Sequence, residues 1–455
     1  MFGSVKNIHF VGIGGIGMSG IAKVLFNLGF SITGSDIYES ETVVELENMG
    51  IKVFIGHKKE NVRTAHVVVY SSAVKSDNPE IMQARKQDIP VIRRAEMLGE
   101  LMRFKYSIAV SGTHGKTTTT SIVSHMLKKT GFDPTSIIGG KITNGSNAGI
   151  GKGDYLVAEA DESDKSFLKL YASSIIVTNI DADHLDFYRD LTAIKKAFLE
   201  FIEKLPFYGV AILCYDSDGV KDIIPFIRQR KITYGITGGD IVAYNIEKIP
   251  WGHRFNVKYK EKELGSFVLN VPGIHNIVNT LAAIGIGLEL AIPIEAMKSS
   301  IQSFPGVSRR LEIMGKTRDI LIINDYGHHP TEIKSVLSTL NEEFPDRRKV
   351  VLFQPHRYTR THFLLEKFGI SFTGADYVVI TDIYSAGEAP IPGVSGGDVA
   401  RKVLETLDVD VEYLSGLDKE NIAHRLKNIL KQGDILIILG AGDIWKTGKR
   451  LLEIL

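Results

Sequence analysis

The sequence predicts an α/β protein of three domains. Three observations carry that expectation. Apolar strand-like runs alternate with helix-like segments along nearly the whole chain of 455 residues. At roughly 150 residues per domain, this length argues for about three domains. The alternation is interrupted twice, near residue 104 and at "FPGVSRR" (304–310), where Pro and Gly break the pattern. The expected limits are therefore 1–104, 105–305 and 306–455. Alternating strands and helices imply parallel sheets, since a parallel strand pair needs a long crossover, usually a helix.

The elements follow in order. "NIHFVGIG" reads as a strand, and "IGMSGIAKVLFNLGF" has helical spacing and ends near Gly29. "SITGSD", "KVFIG" and "AHVVVYSSA" are further strands, and "MRFKYS" (102–107) reads as a linker before the strand "SIAVSG". In the middle section "YLVAEAD", "SIIVTNI" and "VAILCYD" are strands and "TAIKKAFLEFIEKL" is a helix. Residues 231–271 are short alternating segments such as "RFNVKYK" and "GSFVLNV", which predicts a small antiparallel patch in a mostly parallel sheet. "HNIVNTLAAIGIGLELA" is an apolar helix. The last section returns to buried-type strands: "DILIIND", "KVVLFQP", "DYVVITDI" and "DILIILGAGD". There is no 20–50-residue repeat, low-complexity tract or heptad run.

Composition narrows the function. Hydrophobic residues make up 44%, enough for ordinary buried cores. Lys plus Arg number 54 against 53 Asp plus Glu, a formal charge of +1. Nothing in that balance asks for nucleic acid or an anionic membrane as partner. The one cysteine, Cys214, excludes an internal disulfide, and its apolar run "GVAILCYD" predicts a small buried hydrophobe. No signal-peptide pattern opens the chain, and no apolar run approaches the roughly 20 residues of a membrane span. A cytoplasmic protein is expected.

Two glycine turns suit phosphate. Gly12, Gly14 and Gly17 satisfy G-x-G-x-x-G between a strand and a helix, the Rossmann-like arrangement, with Gly15 inside the turn. Such glycines let backbone N–H groups approach a diphosphate at the positive end of the helix. Asp36 lies where a ribose-binding acid belongs. The second turn, "AVSGTHGKTTTTSIV" (109–123), is a shortened phosphate loop with Val110 in place of the first glycine. Gly112 and Gly115 free the backbone, Lys116 can offset phosphate charge, and Thr117 can ligate Mg²⁺. Four threonines at the helix start also suggest a ligand site. This makes the central domain P-loop ATPase-like.

Acidic residues cluster after the next two strands. "VAEADESD" holds Glu159, Asp161, Glu162 and Asp164, and "NIDADHLDFY" holds Asp181, Asp183, His184 and Asp186. Both fall at strand carboxyl ends, where open α/β sheets hold ligands, and could serve one or two Mg²⁺ ions. In "VPGIHNIVNT", Asn276 is expected to cap a helix, with Asn279 one turn on. "NDYGHHPTE" (324–332) and "QPHRYTRT" (354–361) bring His, Tyr and Arg to the ends of strands in the third, again Rossmann-like, domain. Arg357 and Arg360 are candidates for a two-pronged carboxylate clamp. The "LGAGD" turn (439–443) is expected to serve packing.

Taken together, "GIGGIGMS", "GTHGKTTTT", "EADESD", "TNIDADHLD", "GIHNIVN", "GVSRR", "DYGHHPTE" and "HRYTRT", in this order, resemble the Mur ligase family over nearly the whole chain. Asn324-Asp325-Tyr326 stands where Asp-Asp-Tyr is usual, and "NIDADH" where Glu-Pro-Asp-His is. The resemblance implies that ATP drives attachment of L-alanine to the lactyl carboxylate of UDP-N-acetylmuramate, a step in cytoplasmic peptidoglycan synthesis and hence in cell-wall growth, cell shape and division. The first domain would hold the UDP-sugar with Gly12, Gly14, Gly15 and Gly17, and Asp36, Ser71 and Ser72 would lie near the uridine. ATP would take Gly112, Thr113, His114, Gly115, Lys116, Thr117 and Thr118, with Asn279 at adenine and Arg310 and Asp325 near the phosphates and ribose. Thr117, Glu159 and His184 would hold Mg²⁺. Tyr326, His328, Arg357 and Arg360 would line the alanine pocket. The partners are these small molecules, with no nucleic acid or membrane, and the protein is a monomer or homodimer.

The chemistry has a physical logic. A carboxylate is a poor acylating agent, so ATP phosphorylates it, and the amine of alanine then displaces phosphate. Lys116 and Mg²⁺ offset the repulsion between the two anions. His328 is a candidate for the group that takes the amine proton. Rival readings are a sister ligase that adds a whole tripeptide to the same sugar, an NAD-dependent oxidoreductase, and a non-catalytic nucleotide-binding regulator.

Overall fold

Runs of Val and Ile form the strands, and the strand order decides which loops meet. The computed structural model describes residues 3–71, 73–138, 148–183 and 187–455. Ser72, His184 and Asp186, singled out above, lie outside the described residues. Among the described residues the strands form sheets of five, ten and six, in agreement with the three-domain α/β class.

The first sheet contains β1 (Asn7–Val11), β2 (Ser31–Asp36), β3 (Lys52–Ile55), β4 (Val67–Tyr70) and β5 (Val91–Arg93). Its order is β3-β2-β1-β4-β5 and every pairing is parallel. The chain fills one side of β1 before crossing to the other. The crevice at the carboxyl end of β1 is therefore a switch point, and the first glycine turn lies in it. Helix Ile16–Asn27 leaves that turn and buries Met18, Ile21 and Leu25 against the sheet.

The second sheet runs through β6 (Tyr106–Ser111), β7 (Thr135–Ile137), β8 (Ala148–Gly149), β9 (Tyr155–Glu159), β10 (Ser174–Val177), β11 (Val210–Cys214), β12 (Lys231–Gly235), β13 (Ile241–Ile249), β14 (Gly252–Tyr259) and β15 (Lys262–Leu269). Its order is β15-β14-β13-β12-β11-β10-β6-β9-β7-β8. The antiparallel patch expected at 231–271 spans only Ile241–Leu269, because β12 pairs in parallel with β11 and so belongs to the main sheet; at the opposite edge β8 also pairs antiparallel with β7. What positions the site is that β6 lies between β9 and β10. The phosphate loop after β6 is thereby flanked by the two acidic loops. The expected linker at 102–107 shrinks, because helix Arg94–Met102 runs up to it and β6 starts at Tyr106.

The third sheet holds β16 (Glu312–Thr317), β17 (Ile320–Asp325), β18 (Lys349–Phe353), β19 (Tyr377–Thr381), β20 (Asp410–Leu414) and β21 (Ile435–Leu439), in the order β16-β17-β21-β18-β19-β20. Only β16 is antiparallel. Strands β17, β18 and β21 are buried along their whole length, as their unbroken apolar runs require. No helix among the described residues is long and apolar enough to cross a membrane.

The first two sheets share one core. Ile8 and Phe10 of the first sheet, Leu98, Leu101 and Met102 of the following helix, and Phe167, Phe198 and Phe201 of the middle section form one buried cluster. Gly99 is a close approach between the two parts: a Cβ there would collide with the carbonyl oxygen of Lys169. Gly99→Ala is therefore expected to destabilise the chain by about 1–3 kcal/mol, since overpacking displaces backbone. A urea midpoint equal to the parent's would show that this contact is not tight.

Candidate functional site

The central loop explains how a phosphate loop manages without its first glycine. Val110 is fully buried within β6, so the turn begins later and is shorter. The neighbouring strand end closes it. Asn179 Oδ1 accepts from the N–H of His114 at 2.8 Å, and Thr178 Oγ1 and Asn179 Nδ2 donate to the His114 carbonyl at 2.6 and 2.9 Å. Thr113 Oγ1 accepts from the Asp181 N–H at 2.9 Å. Gly112 and Gly115 have φ of +134° and +80°, and a side chain at either would strike Thr178 or Asn279. Gly115 caps helix Lys116–Lys129 with no side-chain partner, which leaves the N-terminal N–H groups to a ligand.

Lys116 sits in this cradle. Its Nζ donates to the Gly112 carbonyl at 2.6 Å and to both oxygens of Glu162 at 2.8 and 2.9 Å. Burial pulls its pKa down, but Glu162, Asp161 and Glu159 outweigh burial and hold the ammonium above its ordinary range. Asp161 is conversely held low: burial opposes its charge and Lys116 wins. The Tyr188 hydroxyl donates to the Glu162 carbonyl at 2.5 Å and fixes that loop. The threonine run divides. Thr117 and Thr118 line cavities, whereas Thr119 and Thr120 are fully buried, and Thr119 Oγ1 donates to Asn279 Oδ1 at 3.2 Å.

Two cavities meet at this loop. The smaller, about 550 Å³, is lined by Gly115, Thr118, Asn179, Asn279, Arg310 and Asp325 among others. Buried Cys214 lines it too, with its thiol pushed up to about 11 by burial, so the residue is an unreactive hydrophobe as expected. The larger, about 810 Å³, brings Ile16, Glu41 and Thr42 of the first part together with Thr113, Lys116, Thr117, Glu159 and Asp161 and with Tyr326, His328 and Arg360 of the third. His114, Gly115, Arg310 and Glu332 line both.

The third-domain wall is charged and ordered. Asp325 is buried and accepts from the N–H groups of Leu311 and Gly327 at 2.8 and 2.6 Å; burial raises its carboxyl. The guanidinium groups of Arg309 and Arg310 lie over the Tyr326 ring, at 4.8 and 5.2 Å from its centre. Arg309 also donates to the carbonyls of Gly440 and Gly442 at 2.6 and 3.0 Å, so the "LGAGD" turn anchors this arginine and is not mere packing. His328 Nδ1 lies 3.0 Å from the Tyr326 carbonyl. A carbonyl only accepts, so Nδ1 carries the hydrogen and Nε2 keeps its lone pair. Burial, with Arg360 nearby, lowers the His328 pKa to about 4, which leaves the ring neutral near pH 7.

Other expected residues are placed less simply. Arg360 lines the larger cavity and lies 3.7 Å from Asp183. Arg357 turns toward Glu388 at 3.8 Å and is not among the lining residues, so the two arginines are not converged as a clamp. Asp36 accepts from the Gly14 N–H at 2.8 Å and bonds to the very glycine turn expected to face the diphosphate. Gly12 and Ile13 donate to the Ser35 carbonyl at 2.9 and 3.0 Å, Gly17 packs against Arg94, and Ser71 follows β4 beside Gly12. Asn276 is not the helix cap. That place is Gly273, and Asn276 Nδ2 donates to the Pro272 carbonyl at 2.7 Å from inside the helix.

Sequence reasoning missed the brace of Thr178 and Asn179, the anchoring of Arg309, and Glu332. Glu332 stands three residues after His329 in a capping box, a readable local signal, but its other partners are remote in sequence. Of the three residues expected to hold a divalent cation, Thr117 and Glu159 bring a hydroxyl and a carboxylate to one cavity, and His184 lies outside the described residues. Among the described residues no group of three or more His, Cys, Asp or Glu could hold a metal. An all-oxygen pair beside a phosphate cradle fits Mg²⁺, which takes one or two protein ligands and fills the rest with phosphate oxygens and water.

Comparison with known proteins agrees along the chain. Residues 7–106 match the model of the Mur ligase family catalytic domain, 110–287 that of the Mur ligase middle domain, and 309–442 that of the Mur ligase glutamate ligase domain. The UDP-N-acetylmuramate–L-alanine ligase of Desulfatibacillum aliphaticivorans is 50% identical over 454 residues, covering 99% of each chain. That of Geotalea uraniireducens is 50% identical over 455 residues, covering 100% of this chain and 99% of the relative. The crystal structure of the UDP-N-acetylmuramate–alanine ligase of Thermotoga maritima superposes with a TM-score of 0.83 at 30% identity and 99% coverage of both chains.

The buried histidines set a pH dependence of stability. His275, His328 and His329 are lowered to about 4 and His356 to about 3, in each case chiefly by burial. Unfolded, each binds a proton near 6.5; folded, none does until about 4 or below. The unfolded state thus binds more protons throughout that window, and stability falls as pH drops from 6.5 toward 4. The raised carboxyl of Asp325 works in the opposite direction, whereas His125 and His253, also lowered by burial, and the lowered carboxyls of Asp161 and Glu332 work with the four histidines. The urea midpoint is expected to fall over this range, and His356→Gln to flatten the fall. A midpoint that is constant from pH 7 to 4.5 would contradict the assignment.

Proposed function

We propose that this chain, which belongs to the Mur ligase family, uses ATP to join L-alanine to the lactyl carboxylate of UDP-N-acetylmuramate. The observation that carries this reading is the larger cavity, where the phosphate loop, the histidine of the third domain and the edge of the first glycine turn face one space. A ligase of this kind needs all three together, because the acyl phosphate it makes must meet the amine before water does. The enzyme acts in the cytoplasm, as a monomer or homodimer, on a precursor of peptidoglycan.

In this reading residues 1–104 hold the UDP-sugar through Gly12, Gly14, Gly15, Gly17, Asp36, Ser71 and Ser72. Residues 105–305 hold ATP, with its phosphates on Gly112 to Thr118 and its adenine by Asn279; residues 306–455 hold the amino acid and supply Arg310 and Asp325. Mg²⁺, on Thr117, Glu159 and His184, screens phosphate charge when bound. Lys116 is already ionised by its carboxylate neighbours, and its ammonium turns from Glu162 to the phosphates. A carboxylate oxygen of the sugar attacks the γ-phosphorus and ADP leaves. The neutral amine of alanine then attacks the acyl carbon, His328 Nε2 takes its proton, and phosphate departs from the tetrahedral intermediate. Arg360 faces the alanine carboxylate beside Tyr326, and Arg357 joins it on turning from Glu388. An oxidoreductase would leave Lys116 and its carboxylates without a task.

The direct test is phosphate release with ATP, Mg²⁺ and UDP-N-acetylmuramate, run across amino acids and the tripeptide. Release is expected with L-alanine; release with the tripeptide alone would identify the sister activity. Lys116→Ala is expected to abolish turnover, a loss of about 10³-fold or more, with an unchanged circular dichroism spectrum. An active, folded Lys116→Ala enzyme would remove the loop from the mechanism.

A further inference from the structure

Glu332 stands on the wall shared by the two cavities, and its carboxylate serves two different masters. Oε2 accepts from the backbone N–H groups of His328 and His329 at 3.0 and 3.2 Å. That is the helix-capping half of its work. Oε1 lies 3.5 Å from His114 Nδ1 in the phosphate loop and 3.5 Å from Arg310 Nη1. Capping does not require those contacts. Nor does it require a charge, because a glutamine oxygen caps equally well and would not repel a triphosphate next door. The negative charge is answered by His114 and Arg310 on the Oε1 side and by the His328 ring, whose Nδ1 lies 3.6 Å from Oε2.

We propose that Glu332 is a positioning residue that ties the phosphate loop to the amino-acid end of the cavity, with His114 on one carboxylate oxygen and the main chain of His328 on the other. The inference rests on the ligase reading above and adds a coupling device to it. His114 is clamped into the loop through its own main chain by Asn179, so its ring registers how that loop is seated. The His328 ring is fixed to the Tyr326 carbonyl, so it moves with the segment whose N–H groups Glu332 holds. A phosphate bound at the loop competes with Glu332 for Arg310 and shifts the carboxylate toward its remaining partners. Nucleotide occupancy thus sets where the proton acceptor stands, and amide formation waits for a filled loop.

Glu332→Gln separates the two roles. It keeps an oxygen for the N–H groups of His328 and His329 but turns an amide N–H₂ toward His114 and Arg310, where donor meets donor. With saturating L-alanine, the parent is expected to release one phosphate per amide formed. In Glu332→Gln the amide rate is expected to fall about tenfold or more while phosphate release falls less, so that several phosphates are lost per amide. Affinity for a non-hydrolysable ATP analogue is expected to be unchanged or tighter, since a nearby negative charge has gone. His114→Ala should raise the same ratio from the other end. Parent kinetics in Glu332→Gln would show that the residue only caps its helix. A one-to-one ratio with ATP binding lost would show a general structural role, and either result overturns the proposal. A parent enzyme that releases no phosphate with L-alanine would sink the ligase reading, and this inference with it.

Discussion

The site depends on one adjacency: β6 hydrogen-bonds to β9 on one side and β10 on the other. Because the three strands are parallel, their carboxyl ends open on the same edge. The helix after the β6 loop starts without a side-chain cap, and the loops after β9 and β10 carry carboxylates. Without a ligand, this arrangement buries an ammonium among acids, and Lys116 and Glu162 satisfy one another. Leaving either partially buried group alone would be costly, so the pair holds the loop in shape. The short loop needs this frame. It lacks one glycine, and Thr178 and Asn179 of the β10 end supply the closure that the missing turn would have given.

The same economy of charge extends into the third domain. Arg309 and Arg310 lie over the Tyr326 ring, Glu332 faces Arg310, and Asp325 bonds to main-chain N–H groups. The histidines between them are kept neutral by burial. Neutrality matters to the proposed chemistry, because a protonated His328 could not accept from an amine. The tautomer matters equally: the Tyr326 carbonyl takes the Nδ1 hydrogen and leaves Nε2 the only nitrogen able to act.

Much of this was legible in the sequence because it is local. The strands of unbroken Val and Ile, the glycine turns and the carboxylates after β9 and β10 each announce themselves within a dozen residues. What was not legible depends on pairings across the chain. Nothing in "TNIDADH" says that its Thr and Asn will hold the His114 main chain, because that requires knowing that β10 lies beside β6. The run of four threonines looked uniform, yet helical geometry sends Thr117 and Thr118 to the cavities and Thr119 and Thr120 into packing. Asn276 looked like a cap from its residue type, but Gly273 starts the helix three residues earlier. Arg357 and Arg360, three apart, suggested convergence. A left-handed backbone at Arg357, φ +67°, aims it elsewhere.

The distribution of cores also says which part of the molecule is free to close. Apolar side chains of the first and second sheets merge in one cluster, pinned at Gly99, so these two parts behave as one body. The clusters of the third domain draw only on its own residues, apart from Trp251 packing against them beside Phe344. Apart from Val307, which packs in the central core, its other contacts with the centre include the neighbouring rings of His114 and His329 and several polar pairs: His114 with Glu332, Asp183 with Arg360, Ser335 with His275, and Lys248 with Glu343. Interfaces of that kind exchange partners at little cost, whereas a shared apolar core does not. The pairs His114–Glu332 and Asp183–Arg360 lie in the larger cavity, where a bound phosphate or carboxylate would replace them. In the proposed ligase reading, closure over substrate would therefore be a movement of the third domain, carrying His328 and Arg360 toward the loops fixed on the first two parts.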